Sequence, residues 1–192
     1  MSEAVGIAGT APDYARTVRQ ILRVNYAGEY GAVRIYGAQI RLSRFLGRPE
    51  AAFLEETVAH ERRHAAAFRG LMPARATWPC AMTPLWGIGG SLLGLLTALM
   101  GVDAMMVCTE AVERTVHAHL NKQLAWLGGS DPDLGETIAA IRDEEVGHHD
   151  GAIALKHGGG SRRLDGAVAA LTRALIWCST YGALTRMTGA IG

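Results

Sequence analysis

The segment IRDEEVGHHDGAIAL, residues 141–155, places seven ionisable side chains in the ten positions 142–151 of a chain that is 49% hydrophobic. A solvated helix face would explain that density, and so would groups turned inward toward something that needs them. Glu145 and His148 form a Glu-x-x-His pair, and HERRH, residues 60–64, holds a second in Glu61 and His64. On a helix, positions three apart lie about 60° apart around the axis and one turn along, so carboxylate and imidazole can grip one ion from the same face. Either pair alone is weak evidence, but the spacing around them is stronger. Glu29 lies 32 residues before Glu61, and Glu113 lies 32 residues before Glu145. The midpoints between each lone Glu and its pair, 45–46.5 and 129–130.5, fall on the turn-forming FLG and GGS. Two helical hairpins with short connections set each lone Glu level with its own pair.

Packed together, the hairpins bring four carboxylates and two imidazoles into one core. Like charges withdrawn from water repel, and unpaired ions forfeit solvation, so the arrangement demands cations. Two divalent ions cancel four glutamates, and an oxygen-rich donor set with two histidines suits redox-active iron better than structural zinc. The expected fold is all-α: a ferritin-like four-helix bundle built from two helical hairpins, with additional membrane-interfacial helices. The candidate catalytic and metal-ligating residues are Glu29, Glu61, His64, Glu113, Glu145 and His148, whereas Arg142, Glu144 and His149 need not point inward.

Gly and Pro divide the rest into segments rich in Ala, Leu, Glu, Arg and Met without β alternation. They predict helices over about 13–45, 50–69, 85–127 with a break near Gly101, 132–157 and 164–187, and a loop over 71–84. Asp131 reads as an N-cap with Pro132 at the first helical position. The 192 residues are expected to form a single ferritin-like di-iron domain, with a bundle over 13–157 and a C-terminal interfacial helix over 164–187. Within the bundle, 85–102 is uncharged for eighteen residues, about 27 Å as a helix and close to a bilayer core in length. Its five glycines and the charged run after Asp103 weigh against a true span. A helix lying on a membrane surface and a buried core helix both remain open.

A net charge of +1 with no Lys/Arg-rich run argues against nucleic acid as a partner. Cys80, Cys108 and Cys178 are too scattered for a disulfide framework or a Cys-x-x-Cys site and imply a reducing compartment. Residues 1–20 lack the basic and apolar regions of a signal peptide, which predicts a cytoplasmic chain.

ILRVNYAGEYGAVRIYGAQ (21–39), HERRHAAAF (60–68), PLWGIGGSLLGLLTALMGVDAMMVCTEAVERTVHAHLNKQL (84–124) and IRDEEVGHHDGAIAL resemble the demethoxyubiquinone hydroxylase family, the membrane-associated di-iron monooxygenases of ubiquinone biosynthesis. The resemblance runs from about Ile21 to Leu155. It implies the same six residues as ligands of two iron ions (Fe2+/Fe3+) per chain, O2 as co-substrate and ring hydroxylation of a prenylated demethoxyquinol, a 3-demethoxyubiquinol 3-hydroxylase. The expected partners are that prenylated quinol, a membrane surface, and a further copy of the chain (a homo-oligomer) or a lipid-binding accessory protein. The expected place is the cytoplasmic face of a bacterial inner membrane, as a peripheral protein. Asn25 and Tyr26 stand where the family usually reads Asp-His, one turn before Glu29, a position suited to orienting ligands. Glu110, one turn before Glu113 where the family is often apolar, is expected to act as an orienting or alternative carboxylate.

HERRH is also a literal zinc-protease His-Glu-x-x-His, but that reading needs His60 as a ligand and leaves the repeat unexplained. His60, His117, His119 and His149 read as surface or polar-network residues, and Met100, Met105 and Met106 as packing. Tyr26 and Tyr36 share the face of Glu29, while Tyr30 reads as packing. Two alternatives stand beside the hydroxylase: ferritin-like iron storage or peroxide scavenging, and a related di-iron oxygenase acting on another membrane lipid.

Overall fold

The computed structural model describes residues 11–158 and 160–180, and no strand occurs among them. Six helices follow in chain order: α1 Ala11–Phe45, α2 Ala51–Leu71, α3 Thr83–Met100, α4 Val102–Leu127, α5 Pro132–Ala154 and α6 Arg162–Thr180. The loop expected over 71–84 contains a 3-10 turn at Pro73–Arg75. α5 stops at Ala154 rather than His157, because Asp103 Oδ1 takes the His157 N–H at 2.8 Å and ties the chain to the start of α4. Positions 181–187 of the expected last helix, and residues 1–10 of the N-terminal segment, lie outside the described residues.

Each break has a local cause. Gly47 (φ 64°), Gly128 (φ 51°) and Gly129 (φ 85°) take the left-handed backbone that turns the two hairpins, and Gly101 (φ 107°) separates α3 from α4. Asp131 caps α5 by accepting the Leu134 N–H at 3.2 Å, with Pro132 following it as expected.

The buried stripes have helical periodicity and a polar middle. On α1 the stripe is Leu22, Asn25, Glu29, Ala32, Tyr36, Gln39 and Ser43; on α5 it is Leu134, Ile138, Ile141, Glu145, His148 and Ala152. Leu22, Phe68, Leu120 and Ile138 belong to one apolar cluster, and Tyr36, Leu54, Met106 and Ala152 to another. Each of α1, α2, α4 and α5 thus contributes to both clusters, and in each helix a glutamate lies in sequence between the two residues named. A charged layer is therefore sealed between two apolar ones.

α1 packs against α2 and α3, α4 against α5, and α6 across α4 and α1. The seam with α3 is unusually close. A Cβ on Gly90 would lie 2.5 Å from the Gly31 carbonyl oxygen, and one on Gly94 2.2 Å from that of Ile35, so only glycine fits. With its glycines, Trp86, Thr97 and Ala98 turned inward, α3 leaves Ile88, Leu92, Leu95, Leu96, Leu99 and Met100 44–65% exposed. The buried core helix, one of the readings left open for 85–102, is not what forms.

Candidate metal centre

Glu29 comes from α1, Glu61 and His64 from α2, Glu113 from α4, and Glu145 and His148 from α5. All six are 5% exposed or less. Their donor atoms fall into two sets, Glu29, Glu61, His64 and Glu145, and Glu61, Glu113, Glu145 and His148, each with its atoms within 4.8 Å of one another. Glu61 and Glu145, the carboxylates of the two Glu-x-x-His pairs, belong to both. Each lone glutamate joins its own pair, as the spacing predicts, and also meets the glutamate of the other. Both imidazoles turn Nδ1 inward. His64 Nδ1 lies 3.3 Å from Glu145 and 3.8 Å from Glu29 and Glu61; His148 Nδ1 lies 3.0 Å from Glu145 and 3.2 Å from Glu61.

Burial raises Glu29 and Glu113 well above the ordinary carboxylate range, and repulsion from neighbouring carboxylates adds to the rise. Burial would also raise Glu145, but the hydrogen bond from His148 and the His64 imidazole 3.3 Å away outweigh it and hold this carboxyl low. Burial would depress both imidazoles; their carboxylate partners reverse the effect, raising His64 and holding His148 at about 9. Without cations, then, the cluster must retain protons. Glu61 Oε1 and His64 Nδ1 are nonetheless buried without a hydrogen-bond partner among the described residues. Two divalent cations would satisfy these atoms and replace the excess protons, so the donor set fits a metal pair.

Tyr36, fully buried, donates its hydroxyl to Glu113 Oε1. Tyr26, expected on the same face, stacks beside Tyr30 at 6.4 Å, with the Arg69 guanidinium 5.7 Å from its ring centroid. Glu110, expected to orient or replace a ligand, instead pairs with Lys156 and reaches Arg114 at 3.8 Å. The step from 113 to 110 carries it around α4 toward the exit of α5. Asn25 and Gln123 exchange two amide hydrogen bonds of 2.8 Å, and Gln123 Nε2 also lies 2.7 Å from His119 Nε2. Because the Gln123 nitrogen only donates, His119 Nε2 accepts and the ring proton sits on Nδ1, which has no partner among the described residues. Burial, helped by Lys122, lowers the His119 pKa to about 4 and keeps the ring neutral.

Two contacts escaped the sequence reading. Glu144 Oε2 lies 3.2 Å from His64 Nε2, and His60 Nδ1 lies 3.1 Å from His148 Nε2. Both residues sit at the edge of a buried stripe, where sequence pattern does not separate a solvated side chain from one that reaches back. Cavities also reach the cluster. An apolar cavity of about 60 Å³, walled by Ile35, Leu93, Val116 and Ile176 and touched by His119, runs to Glu29 and Glu113. A second cavity of about 220 Å³, lined by Arg114, His117, Val146 and His149, also reaches Glu113 and Glu145.

Residues 16–179 match the model of the family described as ubiquinone biosynthesis protein COQ7. The chain is 37% identical over 176 residues to a 3-demethoxyubiquinol 3-hydroxylase of Rhodospirillum rubrum, covering 88% of this chain and 80% of the relative. It is 40% identical over 138 residues to a mouse protein named NADPH-dependent 3-demethoxyubiquinone 3-hydroxylase, mitochondrial, covering 69% of this chain and 62% of that one. A Saccharomyces cerevisiae 5-demethoxyubiquinone hydroxylase, mitochondrial, is 35% identical over 153 residues, covering 70% of this chain and 64% of the yeast protein. The match thus spans most of the bacterial relative and somewhat under two thirds of the mouse and yeast proteins.

Proposed function

The chain belongs to the ubiquinone biosynthesis protein COQ7 family, and from that premise we propose that it is an O2-dependent monooxygenase hydroxylating the ring of a prenylated demethoxyquinol. The observation that carries this reading is the sealed layer of four glutamates and two histidines, arranged as two donor sets sharing Glu61 and Glu145. Glu29, Glu61, His64, Glu113, Glu145 and His148 would hold two iron ions per chain, the four carboxylates balancing four positive charges. When bound, the irons supply the redox chemistry that reduces O2, so that one oxygen atom enters the ring and the other leaves as water. The two further electrons come from a reductant, NADPH in the name of the mouse relative.

The chain's own residues prepare the site. Tyr36 holds Glu113 by donating to its Oε1. The apolar lining beside Glu29 and Glu113 excludes water and marks where the ring would approach once the cavity widens, and the His119 Nδ1–H, without a partner among the described residues, would give a ring oxygen a donor. Leu93 of α3 and Leu171 and Leu175 of α6 wall the same cavity, next to the exposed leucine row of α3 and Trp177 of α6. That continuity supports substrate entry from a bilayer, with residues 1–192 acting as one domain peripheral to the cytoplasmic face of a bacterial inner membrane. An iron-storage protein has no use for such a surface. The test is the quinone pool of a deletion strain: the demethoxy intermediate accumulates and falls again on complementation. A normal pool refutes the proposal.

A further inference from the structure

The two Glu-x-x-His motifs have corresponding neighbours: His60 immediately precedes Glu61, and Glu144 immediately precedes Glu145. Each of these neighbours reaches across to the histidine of the other motif. Glu144 on α5 meets His64 Nε2 at 3.2 Å, and His60 on α2 meets His148 Nε2 at 3.1 Å. Resting on the reading of the six buried residues as metal ligands, we propose that His60 and Glu144 form a cross-brace that decides which ring nitrogen each ligand histidine offers to metal.

An imidazole binds a cation through its bare nitrogen, and its other nitrogen then carries a proton that needs an acceptor. An ionised Glu144 can only accept, so the His64 proton resides on Nε2 and Nδ1 is the nitrogen freed for metal. For His148, Nδ1 faces Glu145 and Glu61 at 3.0 and 3.2 Å, so Nε2 donates outward and His60 Nδ1 accepts. On the α2 side the Glu144 carboxylate is restrained by Arg63, whose Nη2 lies 3.4 Å from its Oε2. With side chains 27% and 45% exposed, His60 and Glu144 sit at the rim. Replacing them therefore leaves the apolar clusters untouched. They are positioning residues, acting through His148 and His64.

The experiment is competitive titration of the metal-free full chain with Mn2+ against a chelating dye, alongside circular dichroism. His60→Ala and Glu144→Ala are expected to weaken uptake about 10- to 100-fold at unchanged helicity. His60→Asn, whose Oδ1 stands near the lost Nδ1, and Glu144→Gln each retain an acceptor and are expected to recover most of that loss. Alanine variants with wild-type affinity overturn the brace, and so do acceptor variants as weak as alanine. If an alanine variant misfolds, the acceptor variants decide: near-wild-type uptake supports the brace and a full 10-fold loss overturns it. A wild-type chain that takes up no divalent ion overturns this inference together with the metal-centre reading, whereas two ions bound equally by every variant overturn the brace alone.

Discussion

Stripping divalent metal and then raising the pH from 6.5 to 9 should destabilise the protein by about 3 kcal/mol through His148. Its folded-state pKa of about 9 lies above the unfolded value of about 6.5, so its contribution is whole below pH 6.5 and lost as pH climbs through 9. The difference is about 2.5 units, each equivalent to about 1.4 kcal/mol. His64, Glu29 and Glu113 are also raised and act in the same direction, because the folded metal-free cluster keeps protons that the unfolded chain releases. Glu145 is held low, but its contribution is lost only on acidification below the ordinary carboxylate range, outside this window. For a chain of this size the His148 effect corresponds to a fall of about 6–12 °C in Tm. The assay is urea denaturation followed by circular dichroism, on chelator-treated protein and on protein carrying two equivalents of Mn2+. The metal-free curve should fall steeply across the window, and the loaded curve should run nearly flat because cations replace those protons. A metal-free protein whose stability is level or rises from pH 6.5 to 9 refutes the reasoning.

Four further outcomes are expected. Glu61→Ala, removing a carboxylate common to both donor sets, should abolish uptake of both ions, whereas Glu113→Ala should leave the Glu29 set able to hold one; elemental analysis separates the two. Tyr36→Phe leaves Glu113 Oε1 buried without its donor and should lower folding stability by about 1–3 kcal/mol in chemical denaturation. Gly94→Ala puts a methyl group 2.2 Å from the Ile35 carbonyl oxygen, so α3 must move away, at a cost of about 1–3 kcal/mol or more, read as a lowered Tm. Leu92→Asp with Leu96→Asp, on the exposed side of α3, should reduce co-sedimentation with phospholipid vesicles at least tenfold while leaving metal uptake unchanged.

The hairpins were legible because helix geometry turns sequence spacing into position: 32 residues with a turn at the midpoint leaves little choice about which glutamate meets which pair. The caps at Asp131 and the breaks at Gly47, Gly101 and Gly128 were legible for the same local reason. Long side chains were not. Glu110 lies one turn from Glu113, yet Lys156, 46 residues away, draws it out of the cluster. Nothing in the sequence requires Glu144 to point inward, yet its carboxylate reaches back to His64 while the side chain stays 45% exposed. Asn25 departs from the family pattern near the ligands, and nothing in the sequence marks Gln123, 98 residues on, as its partner. Composition made α3 apolar, whereas its outward leucines follow from carbonyl contacts at Gly90 and Gly94 that no hydropathy pattern encodes.

That seam has a consequence for handling the protein. With main chain pressed on main chain between α1 and α3, the helix has no room to roll, and its greasy ridge stays turned outward in plain buffer. A purified sample therefore meets its solubility limit before its folding limit: detergent should disperse particles that heating or mild urea leaves clumped, and yield should follow the supply of amphiphile.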